Sequence, residues 1–210
     1  MSKERLDQAN TRLGTELSAI ESGLTIYTVI GLNARTINAS RAFLGFVQQQ
    51  SYGTVILGLA KVFERENIYP LCSVSGVYRL AKQEQPQNMT AARAFVGKYG
   101  ITASEDWTRD VDQVFSAKRP WLRKNMRLIK SAWNTRLAHL QQLAVARKRP
   151  SLTACEELLA FAFEFYAFVE EAFFNTQAHP ILDDRQIAGS LLNLLRKAGM
   201  SGLVSKFEGI

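Results

Sequence analysis

One periodicity runs through most of this chain and decides its fold class. Leu6, Leu13, Leu17, Ile20 and Leu24 recur at intervals of three, four and seven, the spacing that lines up one face of an α-helix. A second such face runs from about 38 to 66 through Leu44, Val47, Val55, Leu59, Val62 and Phe63. Gly45, Gly53 and Gly58 fall inside it, so a kink near 51–53 is expected, and Pro70 ends it. No stretch alternates apolar and polar residues over a useful length, and no segment repeats another. A strand buries every second residue, so this pattern excludes a β-fold. The expectation is all-α: an up-and-down helical bundle with additional short helices.

Local signals divide the second half. Ser73 suits the cap of a short helix ending near Lys82; the polar run 83–89, with Pro86, reads as a loop; another short helix follows at about 90–99. Ser104, with Glu105 and Asp106 behind it, opens the next helix. Pro120 fits the first turn of a basic helix over about 121–143. Thr153-Ala-Cys-Glu156 has the form of a capping box at the head of an aromatic helix reaching about Asn175. Pro180, Asp183 and Asp184 introduce a last helix, closed by Lys197 and Gly199. The apolar run 158–174 is interrupted by Glu164, Glu170 and Glu171, too many charges for a membrane span. Its Phe161, Phe163, Phe165, Tyr166, Phe168, Phe173 and Phe174 are expected to form core or an interface.

Charge is unevenly distributed. Residues 113–155 contain ten Lys and Arg and no Asp or Glu. The whole chain has 26 basic against 19 acidic residues, net +7, so the remainder is net acidic, at 16 against 19. One basic module in a mildly acidic protein is the footprint that a polyanion such as RNA selects. Along a helix turning about 100° per residue, Leu122, Met126, Ile129, Trp133, Leu137 and Leu140 form an apolar stripe. Arg123, Arg127, Lys130 and Asn134 lie beside it; Lys124 and the run Arg147-Lys148-Arg149 widen the basic field for a phosphate backbone.

His139 sits within this module, at the edge of the apolar stripe, and Arg136 shares its side. An imidazole titrates near neutral pH and can take the proton of a 2′-hydroxyl, while a guanidinium stabilises charge on the phosphate. That chemistry needs no metal or cofactor, and none is expected. His179 reads as a loop residue; Asp106, Asp110, Asp112, Asp183 and Asp184 read as helix-start and solvated charges. Cys72 and Cys155 are too far apart in sequence and too few for a zinc or disulfide framework. No Gly-rich phosphate loop or GxSxG elbow occurs. The opening residues lack the apolar core of a secretory signal, so a cytoplasmic location is expected.

Arg136-Leu-Ala-His139-Leu140, with Asn134 ahead of it, resembles the RN-x-x-x-AH segment of the AbiU2-like group of the HEPN superfamily, which is linked to bacterial abortive infection and phage defence. Gly58-Leu-Ala-Lys-Val-Phe63 is similar to that group's L-x-R-L-F/L helix, and Ser151-Leu-Thr-Ala-Cys-Glu-Glu-Leu158 to the opening of its final long helix. The resemblance covers about 5–175 and implies a single HEPN-like domain over 1–210, with 176–210 a C-terminal helical extension. It further implies a homodimer in which Arg and His motifs meet across the two-fold and cut RNA without metal, as a toxin or defence protein with a neutralising or defence-system partner. His139 matches the catalytic histidine and Asn134 the polar residue. The family arginine would fall at Ala132, Trp133 or Asn134, and none is Arg. Two readings stay open: Arg136 has taken the role, or the motif is degenerate and the protein binds RNA or a partner without cutting.

Overall fold

A computed structural model describes residues 2–32, 41–64, 72–138 and 150–176, and every regular element among them is helical. They are α1 (Ser2–Leu32), α2 (Arg41–Val62), α3 (Val74–Ala81), α4 (Met89–Gly97), α5 (Trp107–Ala138) and α6 (Leu152–Val169), which runs on into a π-helical turn, Glu170–Phe174. The all-α expectation holds for these residues. The expected last helix beyond Pro180 lies outside them, as do Pro70 and His179. No helix among the described residues is long and apolar enough to cross a membrane.

Contacts sort the described residues into two compact units, one drawn from 2–17 and 56–176 and the other from 18–55. In the second, Gly23 permits a close helix approach: a Cβ there would lie 3.0 Å from Val55 Cγ2 and 3.1 Å from the Ser51 carbonyl oxygen. Tyr27 and Tyr52 pack with ring centroids 5.4 Å apart, and Gln48 Nε2 donates to the Tyr27 carbonyl at 3.2 Å. Ile30 and Leu44 bury together against Ile26 and Val47. α2 is continuous through Gly53, and Ser51 Oγ donates to the Val47 carbonyl at 2.9 Å, a back-bond that bends helices without ending them.

The first unit is built around aromatic rings. Phe165 of α6 is fully buried, with Phe115, Phe168, Tyr78 and Phe95 at centroid distances of 5.7, 5.9, 6.2 and 6.3 Å. Trp107 and Phe173 extend the cluster, 5.4 Å apart and edge to face, the arrangement that ring quadrupoles favour. Of the seven aromatic residues expected there, Phe161, Phe165, Tyr166, Phe168 and Phe173 are buried, and Phe163 and Phe174 half-buried. These rings are core. The N-terminal half of α1 joins the same unit through Leu6, Leu13 and Leu17, all fully buried, and through Asn10 Nδ2, which donates to Glu170 Oε1 at 2.6 Å.

Three helix starts refine the sequence reading. Ser73 caps α3 as expected, its side chain accepting from Gly76 N. α6 is capped by Ser151, two residues ahead of Thr153, its side chain accepting from the free amide of Ala154 at 3.1 Å. α5 begins at Trp107, where Asp106 Oδ1 accepts from Thr108 N and Arg109 N, both at 3.1 Å. Asp110 departs from the solvated role expected of it. It is buried and accepts from Ser104 N at 2.6 Å and Ser104 Oγ at 2.9 Å, tying the entering loop to the first turn.

The largest correction concerns Pro120. It does not open a helix but lies within α5, which runs unbroken on both sides of it. Proline has no amide hydrogen to return to the Ser116 carbonyl, a defect that commonly ends a helix. Here Val111 and Val114 before it, and Ile129 and Ala132 after it, are buried on one arc, while Pro120 is exposed. Burial on both sides outweighs the single lost bond, and the ring sits where it displaces no packing.

Candidate nucleic-acid interface

The buried arc of α5 sets where its charges go. Val111, Val114, Asn125, Ile129 and Ala132 are the buried positions, so the core-facing line is turned from the expected one: Leu122, Met126 and Trp133 are only half-buried. At about 100° per residue, Arg119, Arg123, Arg127, Lys130 and Asn134 fall on the opposite side, within an arc of about 80°, and Lys124 lies about 60° further round. All six are exposed. The side of α5 away from the core is therefore a basic ridge.

The cations on it are not equivalent. Lys130 Nζ is 2.9 Å from Glu64 Oε1, so that charge is partly neutralised by the turn after α2. Lys118 belongs to the core edge: its ammonium lies 4.9 Å from the Tyr99 ring centroid and 5.4 Å from that of Trp121, which itself donates from Nε1 to Glu157 Oε2 at 3.3 Å. Arg119, Arg123, Lys124 and Arg127 have no carboxylate partner among the described residues. Arg119, Arg123 and Arg127 repeat every fourth residue, about 6 Å along the helix axis per step. Regular cations of one sign, without acids between them, suit a linear polyanion. Arg119 joins Arg123 on this face by the i, i+4 relation alone.

The chemical half of the expected site is only partly visible. α5 carries the backbone of Arg136 to within three residues of His139, but the Arg136 side chain, His139 and Arg147, Lys148 and Arg149 lie outside the described residues. At the positions where the family arginine would stand, Ala132 is 8% exposed, Trp133 is half-buried and Asn134 is exposed. Ala132 thus belongs to the core, and only Asn134 of the three opens to solvent.

Other reactive groups in the described residues are not activated. Burial, reinforced by Glu156, pushes the Cys155 thiol up to about 12, and burial also raises Cys72, with Glu16 adding to it. Both thiols are free and protonated at neutral pH, the opposite of a nucleophile. Tyr99 donates its hydroxyl to the Glu164 carboxylate, and burial first, then that carboxylate, raises its pKa. Tyr78 is raised in the same way beside Asp112, so neither phenol is primed to ionise. Among the described residues no group of His, Cys, Asp and Glu could hold a metal ion. No protein-family model, characterised protein or solved structure matches this chain.

Proposed function

We propose that this protein is RNA-directed, that it grips the phosphate backbone along the outer side of α5, and that the strand so held runs toward Arg136 and His139. The observation that carries the reading is the run of exposed, unpaired Arg119, Arg123, Lys124 and Arg127 on one side of a single helix, in a chain that is net acidic outside 113–155. In this reading His139 acts as general base on a 2′-hydroxyl and Arg136 steadies the phosphate. Two copies meet in the HEPN manner to complete a metal-independent endoribonuclease, with toxicity in phage defence as its biological use.

A second reading, an RNA-binding module without cleavage, is favoured by one observation: the core takes Ala132 and half-buries Trp133, so no guanidinium stands at the family's position. One experiment separates them. Purified protein is incubated with mixed RNA in EDTA, wild type beside His139→Ala. Cleavage by the wild type alone supports the enzyme. Intact RNA with salt-sensitive binding in both supports the module. Absence of RNA affinity at ~150 mM salt removes both and leaves a protein-binding surface.

A further inference from the structure

Arg123, Lys124 and Arg127 do more than stand on a ridge. With Pro120 and Leu128, all on α5, they line a shallow, open hollow of about 510 Å³. Its lining mixes two chemistries. Its surface is mostly apolar, from the Pro120 ring, Leu128 and the aliphatic stems of Arg123, Lys124 and Arg127, whose charged ends have no carboxylate partner among the described residues. Pro120 to Leu128 spans about 12 Å of helix, enough for one nucleotide and part of the next.

A bare phosphate has no use for the proline ring or the leucine. A ligand that joins a flat apolar face to a phosphate uses every group present. We propose that this hollow is a nucleotide subsite for an RNA strand: Arg123, Lys124 and Arg127 hold a phosphate, and the bases on either side of it lie on Pro120 and on Leu128. The subsite rests on the RNA-directed reading above. It adds to it a preference for an unpaired base, because bases stacked inside a duplex cannot turn out onto the helix.

The test uses the full chain and fluorescence anisotropy at fixed salt, with two labelled strands of equal length, an oligouridylate and a ribose-phosphate strand without bases. The base-bearing strand is expected to bind about tenfold more tightly, the scale of one stacked base. Leu128→Ala and Pro120→Ala each narrow that gap at least threefold while leaving the salt dependence in place. Pro120→Ala also restores a helical N–H, so it retains the fold where a core substitution would not. Equal affinity for the two strands with strong salt dependence overturns the subsite and leaves the RNA reading standing. No binding of either strand overturns both. Binding of uridine monophosphate with no preference between the strands assigns the hollow to free nucleotides and overturns the strand subsite.

Discussion

Replacing Arg123, Lys124 and Arg127 together by Gln removes three charges while leaving unbranched, polar side chains. On a single strand each phosphate neutralised contributes about 0.7 to the slope of log affinity against log salt. The three residues are exposed and have no carboxylate partner among the described residues, so each is free to contribute in full. The slope is therefore expected to fall by about 2. Over a fourfold rise in salt, the wild type loses about 20-fold more affinity than the triple variant. Lys130→Gln supplies an internal comparison. Its ammonium is already held 2.9 Å from Glu64, so it changes the slope by less than one of the other three. The assay is anisotropy of a labelled single strand at four salt concentrations. Parallel lines for wild type and triple variant, within about half a unit of slope, would refute the assignment of this ridge as the backbone contact.

Two further predictions test the fold that presents the ridge. Phe165→Ala empties a fully buried site ringed by four aromatic side chains and is expected to cost about 4 kcal/mol in urea unfolding; a loss under about 1.5 kcal/mol would contradict a packed aromatic core. Asp106 is held below its ordinary 3.8 by the Thr108 hydroxyl, then by the Arg109 amide. A depressed folded pKa means a stabilising contribution that is complete well above 3.8 and lost as pH falls through the lower, folded value. The melting temperature of wild type should therefore exceed that of Asp106→Asn at neutral pH, and the difference should vanish in acid; a difference that persists undiminished there sinks the argument.

Much of the fold was legible because its signals are local. Leu6, Leu13, Leu17 and Ile20 lie on one face by arithmetic alone, and Ser73 announces a helix start by its own side chain. The departures arise where tertiary packing overrides a local rule. Pro120 predicts a boundary only if nothing beyond the chain's own hydrogen bonds holds α5 together, whereas Val111, Val114, Ile129 and Ala132 bury across it. The core line of α5 runs through Asn125 and Ala132 rather than through the larger Leu122 and Met126. α4 and α6 both pack on α5, and the α6 rings meet it at Phe115 and Trp121. The basic ridge was readable as composition, but which of its charges are free was not. Lys118 and Lys130 look like Arg123 in sequence, and only packing reveals that rings hold one and a carboxylate the other.

The π-helical turn at the end of α6 has a consequence for what this sequence tolerates. Its wide turn, closed by Asn175 N donating to the Glu170 carbonyl with Asn175 in the left-handed region, takes up one residue more than an ordinary turn would. That surplus residue sets the azimuth of everything after it. It places Phe173 against Trp107 and turns the Ala172 carbonyl to receive both Gln87 N, at 2.7 Å, and Asn88 N, at 3.0 Å. Shortening the chain by one position here would swing the terminus about a quarter turn and break both attachments at once. Length, rather than side-chain identity, is what this corner constrains.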